Sequence, residues 1–597
     1  MKKLLMGNEA IALGAIKAGV SFVCGYPGTP STEVLETVSK NNNNFDIHVE
    51  WSINEKAAME VGAGASYAGA RTMVTMKQVG LNVASDPLMC LSYIGIKGGM
   101  VILVADDPGP ISSQTEQDTR HFAKYSNLPV LDPSSPEEAY EMVQYAFKLS
   151  EQIEMPVILR PTTRICHACA SIEVGEDNTQ GIHKAEGFVK DSKWVIFPRL
   201  AFLNHIEIEK KQLAISEIFS CLKYNSITGD GEVAVVSSGA GYSYTKEAIA
   251  ELGVEVKLYK VATAYPFPEK QAVGLLKSVK KCLVLEELDP VIEEALVYLC
   301  GLENISCEIY GKRTGNAPVA GELSVELAKA SIAEFLGLTY EMPKAVPEIE
   351  LPIRPPVLCA GCPHRASFFA VKVALKGQKA VYSGDIGCYT LGNAKPLDMV
   401  DTCLCMGAGI TIAQGLHIVE PDTKNLAFIG DSTFFASGIT GVINALYNQT
   451  DITVIILDNS TTAMTGHQPH PGTGKNLMQY PTEAVDIKKV LEGCGVKSIQ
   501  TVNPLDLKAS VEAVRVATEF KGVSVIIFKS PCIAVVKPSS AFKISGKCTK
   551  CKKCIREIGC PAIRLNSEKV EIDASLCTGC GLCSQLCPVN AIVLEDK

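Results

Sequence analysis

The end of the chain, residues 541–597, carries eight cysteines in two runs, and no other feature limits the fold as strongly. Cys577-x-x-Cys580-x-x-Cys583-x-x-x-Cys587 is followed at once by Pro588. Cys548-x-x-Cys551-x-x-Cys554 is followed, after a five-residue gap where three is usual, by Cys560-Pro561. So short a segment cannot build a large apolar core, and its order must come from what the thiolates bind. In runs of this spacing the fourth cysteine ligates the other cluster. Cys548, Cys551, Cys554 and Cys587 are therefore expected to hold one [4Fe–4S] cluster, and Cys560, Cys577, Cys580 and Cys583 a second. Zinc ribbons also use C-x-x-C pairs, but not two interleaved runs with a proline after each fourth cysteine.

The other cysteines, out of 23 in 597 residues, do not suggest a disulfide scaffold, because such scaffolds are short and loop-rich. Cofactor ligation in a reducing compartment fits better. A net charge of −9 with 47% apolar residues describes a soluble globular chain with no general electrostatic case for nucleic acid. No apolar run approaches a membrane span. Met1 to Met6 imitates the start of a signal peptide, but Asn8, Glu9 and Lys17 break the pattern. We expect a cytoplasmic protein that contacts neither membrane nor nucleic acid.

The length allows about three to five domains. Up to residue 195, short apolar runs alternate with helical patterns, as in a parallel βαβ sheet. One strand ends in Gly25-Tyr26-Pro27-Gly28-Thr29-Pro30, and a helix is expected over 54–70 with Glu55 at its start. A carboxylate there is favoured by the helix dipole, so capping is its plain reading. Residues 196–229 read as a connecting segment. A second α/β unit is expected over 230–340, where Gly239 and Gly241 could cradle a phosphate. The proline-rich stretch 341–356 reads as a linker. From 357 to 540 the strand–helix alternation resumes.

Within that last unit, Gly430-Asp431-Ser432 ends one apolar run and Asp458-Asn459 ends another. Two parallel strands joined by a helical crossover would place Asp431 and Asn459 side by side at the carboxyl edge of a sheet, where open α/β folds bind ligands. A carboxylate, an amide oxygen and a backbone carbonyl are hard ligands suited to Mg²⁺ shared with phosphates. An ordinary strand end with an Asx turn is the other reading. The spacing resembles the diphosphate signature of thiamine diphosphate enzymes, with Ser432 in place of the usual glycine.

That signature together with the cysteine tail resembles the 2-oxoacid:ferredoxin oxidoreductases, and among them the α subunits of the indolepyruvate branch. The likeness is carried by Gly25–Pro30, by Asn54-Glu55-Lys56-Ala57-Ala58, by Leu358-Cys359-Ala360-Gly361-Cys362-Pro363-His364-Arg365, by Gly430…Asn459 and by the tail. It implies a multidomain α/β fold. Residues 1–195 would be a pyrimidine-binding thiamine domain, 230–340 a domain like the transketolase C-terminal domain, and 357–540 a diphosphate-binding thiamine domain. Residues 541–597 would form a small α+β dicluster ferredoxin-like domain.

It implies site residues as well. Glu55 would bond the aminopyrimidine of thiamine diphosphate and so promote formation of the cofactor's base. Glu60 is the nearest rival and faces another way. Thr29 would contact substrate and Met406 would prop the cofactor; both could instead be plain turn and core residues. Asp431, Asn459 and the Thr461 carbonyl would hold Mg²⁺, with Gly430 and Ser432 completing the signature.

A third, proximal [4Fe–4S] cluster on Cys359, Cys362, Cys388 and Cys532 is implied by comparable placements in related enzymes. One C-x-x-C turn with two buried free cysteines is the alternative. The tail's bases, Lys543, Lys547, Lys550, Lys552, Lys553, Arg556 and Arg564, face only Glu557 between them. They read as a solvated face offsetting anionic clusters or as a docking patch for an acidic carrier.

The implied reaction is oxidative decarboxylation of an aryl 2-oxoacid such as indolepyruvate or phenylpyruvate. Electrons would pass to an external ferredoxin and the acyl group to coenzyme A. A smaller β subunit would complete an α2β2 assembly, with each cofactor shared between copies. Another 2-oxoacid, a non-oxidative thiamine decarboxylase and a pure electron-transfer subunit are the rivals. The second of these has no use for relay clusters, and the third does not need Glu55, Asp431 and Asn459 together.

Overall fold

The computed structural model describes residues 2–42, 46–175, 181–343, 352, 354–567 and 569–594. The chain divides into two compact units, Met1–Ile349 and Glu350–Lys597. The expected linker 341–356 falls largely outside the described residues.

The first unit is built on two large sheets and a two-stranded one. The larger has six strands in the order His48–Trp51, Phe22–Gly25, Thr72–Lys77, Met100–Ala105, Val157–Leu159, Val130–Leu131, all parallel. Every residue of Met100–Ala105 is buried, as expected for a strand covered on both faces. The opening residues are structural: Lys2–Met6 pairs antiparallel with Cys169–Glu173.

The second sheet runs Glu308–Tyr310, Lys281–Leu285, Val233–Ser237, Lys257–Lys260, Ser226–Thr228, with only the last strand antiparallel. Residues 196–229, expected as a connector, instead contain the 23-residue helix Pro198–Ser220 and that edge strand. The helix buries only Ile208, Ile215 and Phe219 and leaves Phe202 and Leu213 about 70% exposed, so no stripe was legible.

The glycine turn Gly239–Gly241 is also corrected. Gly239 has φ +50°, and a Cβ there would lie 2.8 Å from the Asp132 carboxylate, so an anion of the protein already occupies its approach. Buried ion pairs lie at these strand ends: Arg120, paired with Asp118, reaches Glu286 at the end of a second-sheet strand, and Arg160 ties Asp106 to Asp132 within the first sheet. Removing one partner of such a pair is expensive, which fixes the sheets in one arrangement.

The second unit is built on a five-stranded parallel sheet, in the order Ala380–Ser383, Lys424–Gly430, Ile452–Asp458, Val523–Lys529, Ser498–Val502. Alternate residues feed two cores. Phe428, Ile455, Leu457, Ile526 and Phe528 face one, and Ala427, Ile429, Val454, Ile456 and Val525 the other. The cysteine tail adds two antiparallel pairs, Phe542–Ile544 with Ile592–Leu594 and Ile563–Asn566 with Lys569–Ile572. It also carries the short helices Lys553–Ile558 and Leu582–Leu586. Its Ile558 and Leu582 belong to the first of those cores, so the tail borrows apolar packing it cannot supply itself.

Candidate active site

The strands Lys424–Gly430 and Ile452–Asp458 are parallel neighbours with Gly430 level with Leu457. Their crossover is helical: Asp431–Thr433, a π-helical turn Phe434–Gly438, then Ile439–Tyr447. The expected juxtaposition is therefore present. The Ser460 N–H donates to Asp431 Oδ2 at 2.8 Å, and the Ser432 N–H to Oδ1 at 2.9 Å. Asp431, Asn459 and Thr461 are all buried.

The Asn459 Oδ1 accepts from the Thr461 N–H at 3.3 Å, so the Asx turn exists as well, and Ser460 takes φ +58° to make it. Ser432 is tied in place by a 3.0 Å bond from the Thr462 hydroxyl, a contact glycine could not make. Burial pushes the Asp431 carboxyl up, His470 pulls it back, and Asp458 adds to the rise.

Several residues at this edge carried no sequence assignment. His470 Nε2 lies 3.1 Å from Asp431 Oδ2, and His364 Nε2 lies 3.1 Å from Asn459 Nδ2. Burial holds His364 down to about 4, so it is neutral at ordinary pH. The Tyr389 ring meets any Cβ placed on Gly430 at 2.5 Å, which accounts for glycine there. Burial raises Asp385 to about 7, while it accepts from the Gly407 and Ile386 N–H groups. His364 stood in a quoted motif, and the His467-Gln468-Pro469-His470 run was the only signal for His470. Met406 is half-buried, its carbonyl accepting from the Ser437 hydroxyl at 3.2 Å.

In the first unit, Glu55 opens the helix Glu55–Tyr67 but does not act as its side-chain cap, because Asn54 accepts from the Ala57 N–H at 2.8 Å. The Glu55 carboxyl is buried against Gly80, where a Cβ would stand 2.4 Å from Oε1. Burial raises it to about 7, partly offset by its own N–H and by Lys77. Lys77 in turn covers Gly28 and is itself pushed down by burial. Glu60 is exposed and paired with Lys56, which removes it as a rival. Thr29 is half-buried in the turn beside Gly28.

The tail cysteines separate as the crossed rule expects. Cys548, Cys551, Cys554 and Cys587 line one cavity. Cys560, Cys577, Cys580 and Cys583 line another, together with Ala360 and Gly361. Among the described residues no group of three or more His, Cys, Asp or Glu closes on a single metal ion. Backbone N–H groups point at the sulfurs: Ala591 at Cys587, Lys550 at Cys548 and Phe542 at Cys577, at 3.2, 3.4 and 3.5 Å. Such donors stabilise thiolate-bound clusters.

Cys359, Cys388 and Cys532 lie within electrostatic reach of one another, and Cys362 within reach of Cys359. The Cys532 N–H donates to the Asn459 carbonyl at 2.9 Å, so this group borders the strand-end site.

Three family models match this arrangement: pyruvate flavodoxin/ferredoxin oxidoreductase, thiamine diphosphate-binding, over 13–199; thiamine pyrophosphate enzyme, C-terminal TPP-binding domain, over 385–528; and a 4Fe-4S binding domain over 570–593. Fold and matches together define a 2-oxoacid:ferredoxin oxidoreductase with thiamine diphosphate and iron–sulfur domains. The indolepyruvate oxidoreductase subunit IorA of Archaeoglobus fulgidus is 41% identical, covering 99% of this chain and 97% of its own. That of Thermococcus kodakarensis is 41% identical over 98% and 96%. The chain belongs to this family of indolepyruvate oxidoreductase IorA subunits. A solved 2-oxoglutarate:ferredoxin oxidoreductase from Magnetococcus marinus is 20% identical over 56% of this chain and 65% of its own, with a TM-score of 0.46. No described helix is long and apolar enough to cross a membrane.

Proposed function

We propose that this chain is the catalytic large subunit for CoA-dependent oxidative decarboxylation of aryl 2-oxoacids of the indolepyruvate and phenylpyruvate type. It would release CO2 and an aryl-acetyl-CoA. The domain roles are those set out from the sequence: 1–195 for the pyrimidine, 230–340 transketolase-like, 357–540 for the diphosphate and 541–597 for two clusters. Asp431, Asn459 and the Thr461 carbonyl hold Mg²⁺ and through it the diphosphate; Gly430 leaves room and Ser432 fixes the turn. Met406 supports the cofactor and Thr29 contacts substrate. Thiamine diphosphate, when bound, supplies the nucleophile and electron sink that decarboxylation of a 2-oxoacid requires.

Glu55 serves the aminopyrimidine. A buried carboxyl near 7 can keep or share a proton with a ring nitrogen at working pH. His470 and His364 orient Asp431 and Asn459, and the neutral state of His364 leaves the cation uncontested.

The observation that carries this reading is continuity within the second unit. Asn459 bonds Cys532, Cys532 neighbours Cys359, and Ala360-Gly361 walls the cavity of Cys560, Cys577, Cys580 and Cys583. A proximal cluster on Cys359, Cys362, Cys388 and Cys532 would bridge the diphosphate site to the tail. A smaller β subunit completes an α2β2 enzyme in the cytoplasm, with a ferredoxin as acceptor.

The test is anaerobic dye reduction by the chain with its partner subunit, over a panel of 2-oxoacids with and without coenzyme A. Reduction dependent on coenzyme A and strongest with aryl 2-oxoacids is expected. Equal rates with pyruvate or 2-oxoglutarate would overturn the substrate assignment.

A further inference from the structure

The two tail loops have the same backbone but opposite chemistry at the same positions. In Cys577-Thr578-Gly579-Cys580-Gly581-Leu582-Cys583 the left-handed positions are glycines, with φ +75° and +73°. In Cys548-Thr549-Lys550-Cys551-Lys552-Lys553-Cys554 they are lysines, with φ +56° and +59°. Glycine is the residue such φ values favour, and a lysine there is held at a conformational cost that its sister loop avoids. The inner loop has a packing reason for glycine at one of these positions, since a Cβ on Gly579 would strike the Ser540 carbonyl at 2.5 Å. The outer loop needs no lysine for packing, because Lys550 and Lys552 are exposed.

The surroundings differ in the same sense. The cavity of Cys560, Cys577, Cys580 and Cys583 is walled by Ala360 and Gly361 and so faces the sheet of the second unit. That of Cys548, Cys551, Cys554 and Cys587 is lined by Lys552, Lys553 and Val589, and Val589 is 36% exposed. Lys547, Lys550, Lys552, Lys553 and Arg556 are all exposed around it. Among the described residues none of the four lysines has a carboxylate partner, whereas Arg564 is paired with Asp573.

We infer that this face is the electron exit: an acidic one-electron iron–sulfur carrier protein docks on Lys547, Lys550, Lys552, Lys553 and Arg556, with Val589 at the contact. The inference rests on the relay proposed above and adds to it the exit cluster and the residues that recognise the carrier. Each docking oxidises the outer cluster by one electron and reduces the carrier's cluster by one, so two carriers leave per 2-oxoacid. Rim charges of this kind act on encounter and salt dependence.

The test uses the cluster-loaded enzyme with its partner subunit and an acidic single-cluster [4Fe–4S] ferredoxin as probe. Its dissociation constant is read by interferometry without substrate, at low and high salt. A Lys550→Glu/Lys552→Glu/Lys553→Glu variant is expected to weaken binding at least about tenfold at low salt and to flatten its salt dependence. Dye reduction by a Lys547→Glu variant, which changes an exposed residue outside the cavity lining, should stay unchanged while carrier binding weakens, which separates this idea from the proposed activity. Lys550→Gly/Lys552→Gly relieves the left-handed backbone, so it should fold at least as well yet still lose affinity. Lys376→Glu/Lys497→Glu, exposed in two other loops of the second unit, should change nothing. Wild-type affinity in both loop variants, or binding indifferent to salt, would overturn the assignment.

Discussion

Replacing Glu55 by Gln should abolish turnover and at the same time make the apoprotein more stable at alkaline pH. The carboxyl rises from 4.5 to about 7 because burial disfavours its charge. Each pKa unit is worth about 1.4 kcal/mol, so ionised Glu55 costs the fold roughly 3 kcal/mol. The sign follows from which state binds the proton. Below about 4.5 both states are protonated and nothing is lost. Between 4.5 and 7 the unfolded chain gives up its proton first, so stability falls as pH rises, and above 7 the full cost applies. Lys77, with Asp107 beyond it, is the charged neighbour and is held fixed in the comparison.

The buried amide of Gln brings its own cost, but that cost does not vary with pH. The readout is therefore the change in the gap between variant and wild type, which should grow by roughly 2.5 kcal/mol in the variant's favour from about pH 5 to about pH 8. Both tryptophans, Trp51 and Trp194, lie in the first unit, so their fluorescence during unfolding follows the right part of a chain whose units need not melt together. Turnover should fall by about 10²- to 10⁴-fold, the usual contribution of a proton-transfer group. A gap that is flat with pH, or one that favours wild type as pH rises, would refute the buried-carboxyl argument. Retained turnover would refute the catalytic one.

Other outcomes follow from the same geometry. Asp431→Ala should weaken Mg²⁺-dependent thiamine diphosphate binding by at least about 100-fold in calorimetry, and unchanged affinity would remove it from the metal site. Gly80→Ala should cost most of the activity without touching cofactor, because its Cβ would stand 2.4 Å from Glu55 Oε1; near-normal kcat would show that the carboxyl can move. Cys359→Ser should lower iron from about twelve to about eight atoms per chain, and a wild-type content near eight at full loading would exclude the proximal cluster.

What the sequence made legible was whatever repeats at fixed spacing or alternates with a strong period. The grouping of the tail cysteines around two cavities could be read because the crossed ligand rule depends only on spacing. The strands at Met100–Ala105 and Ile452–Asp458 could be read because double burial writes itself as a continuous apolar run. The helix Pro198–Ser220 was missed because it buries three side chains and leaves Phe202, Leu203, Ile206 and Leu213 exposed. The possible phosphate cradle at Gly239 could not be dismissed from sequence because nothing local says that Asp132, more than a hundred residues earlier, fills its approach. The roles of His470, His364 and Asp385 depend on a returning loop, a helix start and a neighbouring strand end that meet at the sheet edge. Composition does not encode such returns. Glu55 lay between these cases: its position was visible, but the burial that raises it comes from Gly80 on a later element.

The strand-end site carries a cost that protonation or a bound cation relieves. Asp431 is buried and pushed up by that burial, Asp458 lies beside it as a like charge, and Asp385 nearby is raised to about 7. Burying acids at one edge destabilises the apoprotein unless protons or a cation arrive. A dication with diphosphate that binds the folded state alone adds stability by mass action, about 2.7 kcal/mol at a hundred times its dissociation constant. Mg²⁺ with thiamine diphosphate should therefore raise the unfolding temperature of the wild-type chain and have little effect on Asp431→Ala. An Asp431→Asn variant without cofactor should be more stable than wild type at alkaline pH, because it removes the charge and keeps the shape. If it were instead less stable at every pH, the bonds from the Ser460 and Ser432 N–H groups and from His470 would outweigh the electrostatic cost, and Asp431 would be a structural anchor first.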